Sequence, residues 1–337
     1  MVRYWSPDDR VRYADTAEKH GRLQAMIGNV HTIFDWRLDG DEETALVVAD
    51  TETSPQIHQT MAGVLSTLDV DPTVSIIPQQ DAPNMEPPAA VADAATTADV
   101  IVNVGRYALL HSDAMQSAIK ERDVCYLYLA DTTEDYFTRG AVDADPAELD
   151  AFTRRISERH QQADRIEVTT PQGTDVEMRV DSSRDFPLTG YPAGEAPGCP
   201  IEESVNGTIV IDSYMMGVGL VDDPIVWEVD DGWIEEIRGG READVLRRVI
   251  DEYGDENSRW IAEFSMMTNP HARPNGIYIE HLSVGGGTHF ALGNGTSLGG
   301  RYNSSIHLDG AQLDPTVTID GEQVIVDGEF VIDADGP

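Results

Sequence analysis

Three of the chain's nine histidines, His281, His289 and His307, fall within a span of 27 residues in the second half of the 337-residue sequence. His307 belongs to the stretch IHLDG. If this stretch is extended, residues two apart share a face, so His307 and Asp309 point the same way while Leu308 points into the core. An imidazole and a carboxylate aimed at one point suit Zn, Mn, Fe or Co. In THFALG, His289 lies on a short strand directly after Gly285-Gly286-Gly287, where the glycines would let the backbone approach a site closely. Two acids stand in contexts unlike a solvated surface: Glu195 in the Gly/Pro loop PAGEAPGCP, and Glu263 in IAEFSMMTNP, flanked by Trp260, Ile261, Phe264 and Met266. Each also has an ordinary explanation. Most acids in a chain with 61 of them are solvated, and a histidine in a strand is more often a hydrogen-bonded structural group than a ligand.

The elements that must position these residues change character along the chain. Before residue 165, apolar runs at Ala45 to Ala49, Val74 to Ile77, Val100 to Val104 and Val124 to Leu129 alternate with helical segments that start at Ser54-Pro55, Ala89 and Asp113. This alternation predicts right-handed crossovers and a doubly wound, mostly parallel α/β domain over 1–165, closed by a helix from Pro146 to Gln162. From Arg165 the chain is strand-rich. IEVTTPQGTDVEMRV reads as two strands about a Pro-Gln-Gly turn, and further strands follow at Gly207 to Asp212, Ile225 to Glu228 and Trp233 to Arg238, then a helix over Arg241 to Tyr253. A carboxyl-terminal run with Asp-Gly turns at Asp320-Gly321 and Asp327-Gly328 completes a strand-rich α+β domain over 166–337, the one expected to carry the metal. At 337 residues, two domains with real cores are the default.

Composition narrows the class of partner. Lys+Arg 23 against Asp+Glu 61 gives a formal charge of −38, and only Lys19 and Lys120 are lysines. That balance is the signature of a high-salt cytoplasm, where a Debye length of about 3 Å leaves a carboxylate-covered surface with little self-repulsion. Nucleic acid and anionic membranes are excluded as partners, because neutralising phosphates takes clustered Lys/Arg. Cys125 and Cys199 are too few for a disulfide scaffold or a thiolate zinc site, which fits a reducing cytoplasm, and no apolar run of about 18 residues is present. The expected partners are a small peptide or small-molecule substrate and a second copy in a homodimer.

GEAPGCP, NGTIVID, AEFSMMTNPHA, GGGTHFALG and SSIHLDG occur in an order that resembles the thermophilic metallo-aminopeptidases, the leucyl aminopeptidases of the aminopeptidase T type, over residues 165–337 and more weakly before them. The resemblance implies Glu195, Glu263, His289, His307 and Asp309 as metal ligands. One position departs: the family's catalytic Tyr, seven residues after its first ligand histidine, corresponds to Thr296 here, and Tyr302 does not align with it. The interval from His289 to His307 is also shorter than in the peptidases, as is the chain. Both departures move toward a second family of the same fold, the 2,5-dihydroxypyridine 5,6-dioxygenases, which is expected to carry His in place of Glu263 and Ser in place of His289.

The ligand set favours the first resemblance. It implies a metal-dependent aminopeptidase-like hydrolase in which two divalent ions (Zn, Co or Mn) activate a bridging water, with Glu195 or Glu263 as general base. The second implies a mononuclear non-haem ring-cleaving dioxygenase holding one Fe(II), with His111 as a candidate base. A non-catalytic binding protein with a degraded site is the third expectation, which Thr296 keeps open.

Overall fold

The computed structural model describes residues 7–80, 85–110, 112–122, 124–184 and 186–332; His111 lies outside the described residues. The first half forms a four-stranded parallel sheet in the order Asp71–Ile77, Thr44–Asp50, Val100–Asn103, Cys125–Tyr128. The run ALVVA is apolar throughout because both of its faces are covered. Val47, Ala49 and Val102 pack against Ile57, Met61 and Leu65 of the helix Pro55–Thr67. On the other face, Leu46, Val48 and Ile101 meet Val91, Ala95, Met115 and Ala118 of the helices Ala89–Ala95 and Asp113–Arg122. The sheet is thus doubly wound, as the alternation of elements predicts. Helix starts follow their caps: Ser54 Oγ accepts from Gln56 N and Asp145 Oδ1 from Glu148 N, each ahead of a proline at the first helical position.

One large element was not anticipated, the helix Pro7–Arg37. Its carboxyl-terminal half carries a narrow apolar stripe, Met26, Val30, Ile33 and Phe34, at the i, i+4, i+7, i+8 spacing of a helix that packs on one side only. The remaining residues are polar enough to hide that stripe. No helix among the described residues is long and apolar enough to cross a membrane.

The second half holds two antiparallel sheets. The larger has eight strands, from Arg165–Thr169 through Glu329–Phe330, and includes the expected hairpins at residues 165–179 and 225–238. The smaller has six, in the order Gly219–Leu220, Tyr214–Met215, His307–Gln312, Thr288–Gly293, Ile261–Met267, Glu195–Gly198. The helix Pro146–Gln162 packs on this smaller sheet, with Thr153 Oγ1 2.7 Å from Thr268 Oγ1 and His160 Nδ1 donating to the Ala196 carbonyl at 3.1 Å. One continuous apolar cluster runs from Met26 to Ile325 and joins the first helix, one face of the parallel sheet and both antiparallel sheets.

Two local expectations are corrected. Glu195 is not in a flexible loop, because Glu195–Gly198 is an edge strand bonded antiparallel to Ile261–Met267. Nor do Gly285 to Gly287 bring backbone to a site. Gly286 sits at φ +89, and a Cβ there would lie 1.7 Å from the Gly328 carbonyl oxygen, so its close approach is to the Asp327-Gly328 turn.

Candidate metal centre

Register in the six-stranded sheet brings the five acids and imidazoles to one face. Glu263 pairs with Ala291, and Ala291 with Asp309, so the two carboxylates flank a methyl-sized side chain in one row across three strands. One row to either side on the same face lie His289, opposite Ser265 and Ala311, and His307, opposite Gly293. Glu195 pairs with Met267 and joins from the edge strand. Gly293 makes the His307 row possible: at φ +104, a Cβ would fall 2.1 Å from the Ile306 carbonyl oxygen.

The side chains then meet. His289 Nε2 lies 3.0 Å from Glu263 Oε1, while His307 Nε2 lies 3.3 Å from Glu263 Oε2 and 3.2 Å from Asp309 Oδ1. The Asn294 carbonyl accepts from His307 Nδ1 at 2.7 Å, which fixes the tautomer and leaves Nε2 facing the carboxylates. Ligand atoms of Glu263, His307 and Asp309 all fall within 4.8 Å of one another, and all three residues are buried. Ser283 Oγ contacts Glu195 Oε1 at 3.5 Å.

Electrostatics follow from that packing. Burial alone would raise Glu263 and Asp309, but the two imidazoles hold both below the carboxylate range. Burial alone would depress the histidines; the Glu263 hydrogen bond and the surrounding carboxylates raise His289 to about 9, and Asp309 and Glu263 raise His307 well above an ordinary imidazole. Glu195, at the cavity wall, is pushed by desolvation up to about 8, with His289 opposing. Two imidazolium protons therefore balance two buried carboxylates. A divalent cation carries the same charge and would displace those protons, and the donor set of carboxylate oxygens and imidazole nitrogen matches first-row divalent metals. His289 Nδ1 is a buried nitrogen with no partner among the described residues. The residues present fit a metal.

Some sequence-derived candidates lie elsewhere. His281 is spent on structure: Gly276 N donates to its Nδ1 at 3.1 Å and its Nε2 meets Ser213 Oγ at 2.6 Å. Thr296 turns away to donate to Asn294 Oδ1 at 2.7 Å, and Tyr302 stacks on Trp260 with ring centroids 4.0 Å apart, its hydroxyl on Glu203. Neither supplies a phenol to the site. Tyr278 does, through a 2.6 Å hydrogen bond to Asp309 Oδ2. Nothing in the sequence marked Tyr278, which sits in the four-residue helix Tyr278–His281 without a motif of its own. The cluster opens on a cavity of about 470 Å³ between the two halves, which Tyr126 and Tyr128 of the parallel sheet also line.

Comparison with known proteins bears on this arrangement. The sequence profile of NicX, 2,5-dihydroxypyridine 5,6-dioxygenase, matches residues 40–332. The chain belongs to that family. A curated 2,5-dihydroxypyridine 5,6-dioxygenase from Pseudomonas putida is 25% identical over 197 residues, 49% of this chain; the match spans 56% of that relative. Among solved structures, the 2,5-dihydroxypyridine dioxygenase of Pseudomonas putida KT2440 superposes with TM-score 0.72 at 19% identity, covering 92% of this chain and 97% of that one. Wild-type AmpT from Thermus thermophilus superposes with TM-score 0.67 at 16% identity, covering 92% and 99%. Both resemblances read from the motifs are thus met, and AmpT shares the fold. The family match lies with the dioxygenases, so the sequence comparison favours the second expectation over the hydrolase. The family is one of metal-using enzymes.

Proposed function

We propose that the chain is a mononuclear, Fe(II)-dependent dioxygenase that opens a dihydroxylated aromatic ring of the dihydroxypyridine type. The observation that carries this reading is the single group of Glu263, His307 and Asp309, the one set among the described residues whose ligand atoms converge within 4.8 Å. These residues would hold the metal with one imidazole and two carboxylates, where the usual non-haem iron triad has two imidazoles and one carboxylate, and all three line the cavity. When bound, the metal would supply the redox-active centre at which O₂ is activated beside the ring.

The chain's own groups do the rest. Asn294 and Tyr278 hold His307 and Asp309 in orientation through the hydrogen bonds at Nδ1 and Oδ2. His289 donates to Glu263 and tempers the charge of a site with two carboxylates. Glu195, pushed by burial up to about 8 and facing the same cavity, can hydrogen-bond a ring oxygen in its protonated form or take up that oxygen's proton when ionised. Tyr126, Leu127 and Tyr128 of the parallel sheet, with Leu129 after them, line the same cavity and bound the space a ring would fill.

The hydrolase reading is supported by one observation, that Glu195 and His289 stand beside the triad and could serve a second ion. Against it, neither Glu195 nor His289 belongs to the group whose ligand atoms converge. The deciding experiment loads the purified chain with Fe(II) anaerobically, admits O₂ with 2,5-dihydroxypyridine or 2,5-dihydroxybenzoate, and follows O₂ uptake. Stoichiometric uptake with loss of the ring chromophore is expected. Inertness toward these rings, together with release of amino-terminal residues from short peptides, would refute it.

A further inference from the structure

The cavity is far larger than the proposed ring requires. Its volume of about 470 Å³ is several times the bulk of a six-membered ring with two hydroxyls. One wall is the outer edge of the parallel sheet, where among the described residues the strand Cys125–Tyr128 pairs only with Val100–Asn103. Tyr126, Leu127 and Tyr128 all line the cavity, as successive residues of an unpaired edge can. This strand serves as a ruler. At its carboxyl end Tyr128 meets Tyr278 edge to face, with ring centroids 5.9 Å apart, and Tyr278 bonds Asp309. At its amino end the Cys125 thiol donates to the Arg37 carbonyl at 3.4 Å, and Arg37 and Lys120 line the cavity there. Three residue steps of extended chain separate the ends, about 10 Å.

The charged residues that line this cavity are divided between its ends, and Asp39 and Glu42, which do not line it, lie near Cys125 at the cation end. The carboxylates that line it are Glu195, Glu263 and Asp309, all at the cluster end. The cations that line it are Arg37 and Lys120, and Lys120 is one of two lysines in a chain of formal charge −38. Ile119, Leu110 and Leu127 form apolar wall between. Among the described residues no carboxylate lies within 4.0 Å of either cation to form a salt bridge. A cavity with metal-type ligands at one end, apolar walls and two cations at the other fits a molecule of matching layout.

We propose that Arg37 and Lys120 form an anion subsite and that the substrate is a dihydroxylated ring bearing an apolar chain tipped by a carboxylate. The ring lies at the triad and the carboxylate at the far end. The proposal deepens the ring-cleaving reading and rests on it for the identity of the ring, while the subsite itself rests on the cavity. An excess of 38 negative charges repels anions, so a preference for an acid over its neutral ester needs a local cause.

The test measures dissociation constants by calorimetry on the Fe(II)-loaded protein under argon, where no turnover occurs. The probes are 5-(2,5-dihydroxyphenyl)pentanoate, 5-phenylpentanoate and the methyl ester of each. Each acid is expected to bind roughly tenfold tighter than its ester, and the ratio to fall toward unity in Lys120→Gln and in Arg37→Gln. Lys120 is exposed, so its variant keeps the test valid if Arg37→Gln fails to fold. Esters binding as tightly as acids, or a ratio unchanged in Lys120→Gln, would overturn the subsite. If the acid preference and its loss appear with both ring types but O₂ is never consumed, the subsite stands and the ring-cleaving reading falls. If the dihydroxylated ring is opened while acid and ester bind alike, the subsite alone falls.

Discussion

The Tyr278 hydroxyl donates to Asp309 Oδ2 at 2.6 Å, and this leaves Oδ1 of the same carboxylate turned toward His307, 3.2 Å from its Nε2. A carboxylate held at one oxygen presents the other in a fixed direction, which is what a metal ligand requires. Tyr278→Phe removes this hold and the hydroxyl's hydrogen bond with Tyr128, while the ring can keep its edge contact with Tyr128. Metal affinity should weaken by roughly tenfold or more, the usual cost of losing a hydrogen bond to a ligand. Stability without added metal should fall by about 1.5–3 kcal/mol, the range for a hydrogen bond to a charged group. Metal titration and denaturant unfolding check the two, and an unchanged affinity would show that Asp309 is oriented by its strand alone.

Stoichiometry follows from the placing of Glu263. It faces His307 at one oxygen and His289 at the other, so it is both a member of the converging triad and the partner of the imidazole outside it. About one divalent ion per chain is expected in the wild type, and saturation at a hundred times the dissociation constant should stabilise the fold by about 2.7 kcal/mol. Glu263→Ala should abolish that stabilisation, and Glu263→His should restore part of it by returning an imidazole ligand to the row. Two ions per chain by metal analysis would favour the hydrolase reading.

Legibility in the sequence tracked the range of the interactions involved. Period-two and period-3.6 patterns are local, so the doubly wound sheet and the hairpins after Arg165 could be read directly. The shared face of His307 and Asp309 is equally local, because it depends only on a strand being extended. Pairing partners are not local. That Ala291 would lie between Glu263 and Asp309 depends on a register between strands many residues apart, and only the motif resemblance linked them beforehand. Tyr278 and the Asn294 carbonyl left no trace at all: one is a tyrosine among eleven, and the other is a backbone atom. The glycine triplet misled because a glycine permits close approach without saying to what.

Gly293 tests the register itself. Its φ of +104 and the 2.1 Å between a built Cβ and the Ile306 carbonyl oxygen mean that Gly293→Ala must move the backbone that pairs with His307. A loss of about 1–3 kcal/mol is expected from the strained conformation. Since His307 shifts with its partner, metal affinity should drop as well, whereas Gly321→Ala, also at positive φ but with open space around it in a turn remote from the cluster, should lose stability alone. Parallel melting curves and metal titrations of the two variants separate register from general strain.

His160 gives the pH dependence its sign. It is buried between Phe186 and Phe264, with Nδ1 donating to the Ala196 carbonyl, and desolvation lowers it to about 4 from 6.5. Between those two values the unfolded chain binds a proton that the folded chain refuses, so stability falls as pH falls through this window and levels off near pH 4. His281, likewise lowered by burial to about 4, acts in the same direction. The carboxylates and imidazoles of the metal cluster titrate too, so the measurement is a difference: wild type against His160→Gln, which can still donate to Ala196 but cannot take up a proton in this range. From pH 7 to pH 4.5 the wild type should lose about 2 kcal/mol more than the variant. Denaturant unfolding at both pH values in molar salt reads this directly, and equal losses would mean that His160 is solvated or already charged in the folded chain.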